Sequence, residues 1–230
     1  MSIKNKAINL LERQLTKPAL VLETRGWHSE TFYEIDLHIP DADFNQLKGV
    51  AHLKCRVAPL TFRDYTIAKW DDLTKTCTLF VDAAHNGPGS SWVKSLNKQD
   101  QISYMQIETH RYPAMDQEKY LFLGDQSTIG HFLALQQLGN KNAQISGALV
   151  IDNKNHREEL TSYYPELSLT PVALQQCYTQ SVLSWLQNQP VDNYDMICLA
   201  GNSAMVVDVR QYLRKSGVPN HKIKAQGFWR

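Results

Sequence analysis

The hydrophobic pattern of the chain changes character about halfway along its length. Before residue 110, apolar and polar residues alternate in short runs that are rich in β-branched and aromatic side chains. Such runs are typical of strands with one buried face. Six of them, separated by turn residues, predict an antiparallel barrel or sandwich, of which we favour the six-stranded barrel. The runs cover residues 19–24, 31–39, 51–57, 62–70, 76–84 and 101–108.

The second half of the chain alternates short apolar runs with segments of helical periodicity. This alternation predicts a three-layer α/β domain, in which helices flank a parallel sheet. The predicted strands are residues 119–125, 145–152, 167–173 and 195–201, and the predicted helices are residues 127–139, 157–164, 178–189 and 203–217. The last ten residues receive no assignment.

Two domains follow from this change of pattern. We place a β-barrel domain at residues 1–112 and an α/β domain of nucleotide-binding type at residues 113–230. The barrel domain includes an amphipathic N-terminal helix, which we expect to end at the Lys17-Pro18 step because proline disfavours helical backbone in the residue before it.

Composition narrows the class of protein. With 24 basic and 23 acidic residues, the net charge of +1 argues against a nucleic-acid binder that works by bulk electrostatics, but it permits a small anionic ligand held by local arginines. The N-terminal segment lacks the apolar core of a secretion signal. No run approaches the roughly 18 apolar residues of a membrane span. These features predict a cytoplasmic protein.

Cysteine and histidine spacing gives no support for a metal site. The four cysteines form no CxxC pair, and no two histidines have metal-ligand spacing on one helix face. Cys77 and Cys198 lie in apolar runs and are expected to be small buried residues. His131 is expected on the surface or in helix packing.

The segment "FRDYTI", residues 62–67, is the first candidate for chemistry. On an extended strand Arg63 and Tyr65 project from the same face. One interpretation is an ordinary half-exposed strand. The other is a strand against which a flat, anionic ligand lies, with a guanidinium for its charge and the Thr66 hydroxyl as a hydrogen-bonding group.

A second candidate, "HNGPGSSW" at residues 85–92, runs from a glycine-rich turn into a helix. Glycine lets a backbone approach a ligand closely, and a helix N-terminus presents free N–H groups to phosphate. Ser90 and Ser91 can cap that helix or bind phosphate. Three roles are possible for His85: a ligand contact, a strand-end residue or a group that assists proton transfer. We favour the first two.

Four segments in order resemble the siderophore-interacting protein family, which belongs to the ferredoxin-reductase-like flavoproteins. They are "RDYT" at 63–66, "HNGPGSSW" at 85–92, "FLGDQSTIG" at 122–130 and "QGFWR" at 226–230. The chain departs from the family pattern in three places. One residue, not two, separates His85 from Gly87, and Gln126 and Asn202 stand where the family has glutamate.

The resemblance implies that the barrel binds FAD non-covalently. Arg63 would engage phosphate, Tyr65 would contact the isoalloxazine, and Thr66 would lie near the flavin N5, which makes it the one candidate catalytic residue. The turn from Gly87 to Trp92 would hold the pyrophosphate. The residues expected at the cofactor are Arg63, Tyr65, Thr66, Ile67, His85, Gly87, Pro88, Gly89, Ser90, Ser91, Trp92 and Trp229.

The resemblance also implies an electron-donor cleft in the second domain. Its expected residues are Gly124, Asp125, Gln126, Ser127, Thr128, Gly201 and Asn202. The loss of two carboxylates would ease entry of a phosphate-bearing cofactor, and the donor is left open between NADH, NADPH and reduced ferredoxin. Lys222, Lys224 and Arg230 form either a solvated tail or a landing surface for an anionic ferric chelate.

The activity implied by the resemblance is that of a cytoplasmic ferric-siderophore reductase. Electrons from NAD(P)H or a ferredoxin would pass through FAD to a ferric siderophore, and ferrous iron would leave; a monomer is expected. Two alternatives stay open. One is another flavin-dependent electron-transfer enzyme, acting on a ferredoxin, a quinone or free flavin, and the other is a siderophore carrier or sensor without enzymatic activity.

The C-terminal "GFWR" has two interpretations at this stage. In the first, Phe228 or Trp229 covers the flavin face at the domain interface, as an aromatic does in many relatives of this superfamily. In the second, these residues are a hydrophobic latch that closes the α/β domain. The first is slightly favoured.

Overall fold

The computed structural model describes residues 14–109 and 116–229. The chain divides into two compact units between residues 113 and 114, one residue from the boundary predicted at 112/113. Each unit has its own hydrophobic core.

The first unit is a closed six-stranded barrel. Its strands are β1 (Lys17–Gly26), β2 (Phe32–His38), β3 (Ala51–Ala58), β4 (Thr61–Asp71), β5 (Thr76–Asp82) and β6 (Gln101–Thr109). The order around the barrel is β1-β2-β5-β4-β3-β6, and every neighbouring pair is antiparallel. The predicted barrel is confirmed.

Strict alternation along the strands fills the barrel. In β3, Ala51, Leu53, Cys55 and Val57 are buried, and the residues between them are partly exposed. Side chains of successive residues point to opposite faces of a strand, so one apolar face per strand suffices to build the core. Cys77 is buried in the same core, as predicted.

The N-terminal helix was predicted to extend too far. Lys17 and Pro18 already belong to β1, and Gln14 and Leu15 are the helical residues that precede it in the described part of the chain. Proline is tolerated at the start of a strand, where its missing N–H breaks no ladder bond. Most of the predicted helix lies outside the described residues.

Helix α1 (Pro88–Ser95) connects β5 to β6 and packs on the barrel through the fully buried Val93. It begins at Pro88, two residues before the first of the two serines, Ser90 and Ser91, that were expected to cap it or bind phosphate. Pro88 occupies the first helical position, where its fixed backbone angle suits the helix and its missing N–H is not needed.

The second unit alternates strands and helices. Its elements are β7 (Lys119–Asp125), α2 (Ile129–Leu138), β8 (Gln144–Ile151), α3 (Lys154–Tyr163), β9 (Thr170–Ala173), α4 (Tyr178–Leu186), β10 (Met196–Asn202), α5 (Ser203–Lys215) and β11 (Ile223–Trp229). The strands form one parallel sheet in the order β11-β10-β7-β8-β9. The predicted α/β fold with a parallel sheet is confirmed.

Side chains of alternate residues of β7 pack on opposite faces of this sheet. Leu121 and Leu123 join a core that includes side chains of α4 and α5. Phe122 points the other way and stacks on Phe132 of α2, with ring centroids 4.7 Å apart. A strand covered on both faces is apolar throughout, which is why the run is continuous in the sequence.

The strand order creates a switch point between β7 and β10. After β7 the chain moves outward to β8 and β9, and it then crosses back to place β10 and β11 on the other side of β7. In open parallel sheets, ligands bind beyond the carboxyl ends of the strands at such a point. Residues 124–128 and 201–202 of the predicted donor cleft therefore lie at one edge of the sheet.

Candidate functional site

The first unit brings Arg63, Tyr65, Gly89 and Trp92 together at the start of helix α1. The half-buried Tyr65 ring stacks on Trp92, with centroids 5.5 Å apart and planes 11° from parallel. A Cβ on Gly89 would lie 2.5 Å from the Tyr65 hydroxyl and 3.9 Å from Cγ of Arg63. Two motifs about twenty residues apart thus form one local cluster.

The N-terminus of α1 is not capped by a side chain. Gly87 is the N-cap residue, and the first turn closes through a 3.0 Å bond from Ser91 N–H to the Gly87 carbonyl. The alternative in which Ser90 or Ser91 caps the helix is therefore wrong, because both lie within it. The first N–H groups of an uncapped helix favour an anion. A Cβ on Gly87 would meet nothing within 4 Å, so space is open there.

Arg63 supplies an exposed positive charge beside this helix. Its Nη1 donates to the Phe62 carbonyl at 2.8 Å. The neighbouring acid, Asp64, faces the other way and pairs with Lys54 of β3, with 2.7 Å between Nζ and Oδ1. Because Asp64 is engaged elsewhere, it does not neutralise the guanidinium of Arg63.

The remaining residues of the strand differ in how they could meet a cofactor. Burial raises the pKa of the Tyr65 phenol above its ordinary value, so this side chain stays neutral and keeps its hydroxyl proton. Thr66 is partly exposed, whereas the Ile67 side chain is fully buried in the barrel core. Ile67 can therefore meet a cofactor only through its backbone. His85 is exposed in the turn before α1.

Two cavities of the first unit lie away from this cluster. One, of about 360 Å³, has Lys17, Asp41 and Tyr104 among its lining residues. The other cavity, of about 370 Å³, has Lys69 and Trp70 among its lining residues. Neither is lined by a residue predicted to bind the cofactor.

The second unit gathers hydrogen bonds on Asp125, the last residue of β7. Its carboxylate is 2 % exposed. Oδ1 accepts from the backbone N–H of Ser127 at 2.9 Å and from its hydroxyl at 2.5 Å. Oδ2 accepts from the backbone N–H of Asn202 at 2.6 Å and from Nε1 of Trp229 at 3.2 Å. One side chain thus joins the carboxyl ends of β7, β10 and β11.

Close approach at this edge depends on glycine. Gly201 has φ +108°, and a Cβ there would collide with Oδ2 of Asp125. A Cβ on Gly124 would collide with Oγ1 of Thr128. Burial raises the pKa of the Asp125 carboxyl above its ordinary value, and the donors from Ser127, Asn202 and Trp229 oppose that shift.

The two positions where the family has glutamate carry amides with local partners. Oε1 of Gln126 lies 3.1 Å from Nδ1 of His156, a buried residue of α3 that the sequence did not single out. Oδ1 of Asn202 accepts from the backbone N–H of Met205 at 3.0 Å and so caps α5. Asparagine is among the preferred N-cap residues, which gives Asn202 a structural reason.

The C-terminal aromatics pack inside the second unit. Phe228 meets the ring of His131 edge to face at 5.3 Å, and Trp229 meets Tyr178 in the same manner at 5.4 Å. His131 is fully buried, so of its two predicted placements the surface is wrong and helix packing is correct. These contacts are what the latch interpretation expects, while a flavin cover formed by Trp229 stays a prediction.

The two described lysines of the predicted substrate surface are not brought to this edge. Lys222 precedes β11 and its Nζ donates to the Tyr194 carbonyl at 3.1 Å. Lys224 is the second residue of β11. Trp229 lies five residues further along, about 17 Å away at 3.3 Å per residue. Arg230 lies outside the described residues.

Residues 14–109 and 116–229 contain neither a candidate metal site nor a helix that could span a membrane. In this part of the chain no group of three or more His, Cys, Asp or Glu side chains could hold a metal ion. None of its helices has the length and apolar character needed to cross a bilayer.

The barrel followed by a parallel five-stranded sheet is the fold of the ferredoxin-reductase-like proteins. The structure is similar to a ferredoxin NADP⁺ reductase from Neisseria gonorrhoeae with bound FAD and NADP, with a TM-score of 0.66, 14 % identity, and coverage of 94 % of this chain and 98 % of that one.

Siderophore-interacting proteins are similar over the same span. For one from Acinetobacter baumannii the TM-score is 0.75, the identity 14 %, and the coverage 94 % of this chain and 90 % of that one. For one from Aeromonas hydrophila the TM-score is 0.74, the identity 16 %, and the coverage 94 % of this chain and 91 % of that one. The model of the siderophore-interacting protein family matches residues 117–230. The second unit therefore matches the model of that family, and the resemblance predicted from the motifs is confirmed.

Proposed function

We propose that this protein is a flavin-dependent oxidoreductase that reduces ferric siderophores. The observation that carries the proposal is the uncapped N-terminus of α1, which lies beside the exposed Arg63 and the Tyr65–Trp92 stack. This cluster occurs in a ferredoxin-reductase-like barrel, and the family match of residues 117–230 directs the proposal toward siderophores.

The residues at the start of α1 fit FAD. Its pyrophosphate needs hydrogen-bond donors and positive charge, which the free N–H groups of the helix and the Arg63 guanidinium supply. The open space above Gly87 lets phosphate approach the backbone, and the missing side chain of Gly89 makes room for the Tyr65 hydroxyl. Because one face of the Tyr65 ring contacts Trp92, a flat cofactor would meet its other face or its edge.

FAD, when bound, couples two-electron donors to one-electron acceptors, and ferric iron is a one-electron acceptor. The protein contributes by positioning the cofactor and by supplying charge around it. Arg63 and the helix N-terminus hold the anionic end of the cofactor, and Tyr65 orients its ring. The ferric chelate is the substrate, and iron leaves once reduced because a siderophore binds ferrous iron less strongly. Lys222, Lys224 and Arg230 remain proposed contacts for an anionic chelate.

The proposed donor site is the crevice between β7 and β10. A nicotinamide nucleotide is the favoured donor because the switch point of an open parallel sheet is where nucleotides bind. Amides at Gln126 and Asn202 keep two further negative charges out of this edge, which suits an anionic phosphate. Reduced ferredoxin is the alternative donor. Location in the cytoplasm and a monomeric state stay predictions from the sequence.

The proposal is tested on the purified full-length chain. We expect a bound-flavin absorption band at about 450 nm, present on purification or after FAD is added. We also expect ferrous iron to be released from a ferric siderophore in the presence of NADH, NADPH or reduced ferredoxin, measured with a ferrous-specific chromogenic chelator. A protein that binds the ferric chelate and never takes up FAD is a carrier. One that binds FAD and reduces quinones or free flavin, but no ferric chelate, is another flavin-dependent enzyme.

A further inference from the structure

The carboxylate of Asp125 is the centre of a built hydrogen-bond cluster at the switch point. Four donors converge on its two oxygens, two from Ser127, one from Asn202 and one from Trp229. The carboxylate is almost wholly excluded from solvent. An ionised carboxylate is the side-chain group that accepts at both oxygens and donates at neither.

The chemistry of this cluster demands aspartate. In Asp125→Asn, an amide –NH₂ would replace one carboxylate oxygen and would face donors that it cannot accept from. If the –NH₂ group takes the place of Oδ2, the backbone N–H of Asn202 and the indole N–H of Trp229 both lose their acceptor. If it takes the place of Oδ1, both Ser127 donors lose theirs, and the indole of Trp229 then donates to a neutral amide oxygen where it had a charged carboxylate.

The backbone of β11 is arranged to deliver Trp229 to this carboxylate. Gly201 of β10 pairs with Gly227, but the next residue, Asn202, pairs with Trp229, so Phe228 is an extra residue in the ladder. Such a bulge changes the direction of the side chains that follow it. Phe228 turns to the buried His131, and Trp229 reaches both Asp125 and Tyr178.

The bond from the indole is the longest of the four. The bonds from Ser127 and Asn202 measure 2.5–2.9 Å, whereas the indole bond measures 3.2 Å. Loss of the longest bond leaves three bonds that hold the carboxylate in place. The strand ends would therefore stay joined to the carboxylate in a variant that lacks the indole.

We propose that Asp125 is a positioning residue that fixes the indole of Trp229 at the carboxyl edge of the sheet. Through that indole, Asp125 sets how readily a nicotinamide nucleotide enters the crevice between β7 and β10. The second clause rests on the proposed function; the first does not. A carboxylate with only a structural role would stabilise the strand ends without influencing nucleotide entry.

The positioning clause is tested by NMR on the full-length chain labelled with ¹⁵N in its five tryptophans. Trp229→Phe assigns the Trp229 indole signal by its disappearance. In Asp125→Asn we expect that signal to shift and its hydrogen to exchange with solvent about tenfold faster or more, the effect of losing a bond to a charged acceptor. Ser127→Ala, which removes a donor to the other oxygen, should leave the Trp229 signal close to its wild-type position.

The other four indole signals report whether each variant is folded. An unchanged Trp229 signal and exchange rate in folded Asp125→Asn would overturn the positioning clause, whatever the protein catalyses. Should Asp125→Asn fail to fold, Trp229→Phe keeps the carboxylate and its three shorter bonds. The ¹³C signal of Asp125 then decides: the loss of one donor should raise the carboxyl pKa, and an unchanged pKa would overturn the clause.

The access clause is tested by steady-state kinetics with NADH and NADPH. We expect Trp229→Phe and Asp125→Asn each to change KM for the nucleotide several-fold with a smaller change in kcat. The double variant should change KM no more than one single variant does, because both remove the same contact. Unchanged KM values, or additive changes, overturn the clause. A wild-type protein that oxidises neither nucleotide overturns it together with the proposed donor, while the NMR measurements still decide the positioning clause.

Discussion

The Arg63 side chain, a candidate binding group, contributes little to the stability of the fold. Its side chain is exposed, and within residues 14–109 and 116–229 its Nη1 donates to the adjacent Phe62 carbonyl. A cation that the fold does not need is available to a ligand. Trp92 differs, because its ring already stacks on the Tyr65 ring. Trp92 would therefore contribute to a ligand contact indirectly, through the Tyr65 ring.

We expect Arg63→Ala to weaken FAD binding without unfolding the barrel. Loss of a charge-assisted bond to phosphate costs about 1.5–3 kcal/mol, roughly a ten- to more than a hundredfold loss of affinity. Replacement of an exposed side chain should alter the free energy of unfolding by no more than about 0.5 kcal/mol. Fluorescence titration with FAD and thermal unfolding of the apoprotein measure the two quantities.

Lys54→Ala is the matched control for Arg63→Ala. Lys54 lies on the adjacent strand β3 and pairs with Asp64, on the face opposite to Arg63. The variant removes a charge of the same sign from the adjacent strand, and we expect FAD affinity to be close to that of the wild type. If both variants weaken FAD equally, the effect belongs to the overall charge of the barrel and the role of Arg63 is wrong.

At the scale of elements, the start of helix α1 joins the two sequence motifs of the barrel. Gly87 and Gly89 flank Pro88 and differ sharply in their surroundings. A Cβ at Gly89 would stand 2.5 Å from the Tyr65 hydroxyl, whereas one at Gly87 would meet nothing within 4 Å. Gly87 has an extended backbone with φ −155°, which any residue adopts.

This difference makes the two glycines a matched pair of test sites. Gly89→Ala should push the Tyr65 ring from its stack on Trp92, destabilise the protein by about 1–3 kcal/mol, as overpacking does, and lower FAD affinity. Gly87→Ala, at the N-cap, should leave the Tyr65–Trp92 stack intact and cost no more than about 1 kcal/mol of stability. Thermal unfolding, near-ultraviolet circular dichroism and FAD titration follow both variants. Normal FAD affinity and an intact aromatic signal in Gly89→Ala would show that this turn only connects a strand to a helix.

At the scale of the whole molecule, two units with separate cores divide the proposed chemistry between them. With the exception of Trp229, the residues predicted to bind flavin lie in the first unit, near the start of α1. The residues predicted to form the donor site lie at the carboxyl edge of the sheet in the second unit. A ligand stabilises the part of a protein to which it binds, by about 2.7 kcal/mol at a hundred times its Kd.

Hydrogen exchange measured by mass spectrometry should therefore separate the two ligands. We expect FAD to slow exchange most strongly in residues 61–71 and 87–95, and NADP⁺ to do so in residues 119–128 and 196–203. Peptides from β9, at the far edge of the sheet, serve as the internal control and should change least. Strongest protection by FAD in the second unit would contradict the assignment of the flavin to the barrel.

The sequence by itself determined the two architectures and the order of the motifs. Alternation with a period of two requires strands, and helical spacing between apolar runs requires crossover connections, so both signals are local and can be counted along the chain. The errors are local as well. The N-terminal helix was predicted to run to the Lys17-Pro18 step, where strand β1 already begins, and strand β11 received no assignment because Gly227 and two adjacent aromatics hide its alternation.

Only the tertiary structure decided which residues meet. Trp92 lies on Tyr65 because α1 folds back on the barrel, and the serines after Gly87 do not cap that helix because it starts before them. Asp125 meets Asn202 and Trp229, which are 77 and 104 residues further along, because β10 and β11 line up beside β7. No periodicity encodes strand order, since it follows from how the crossovers pack and from which faces they bury together.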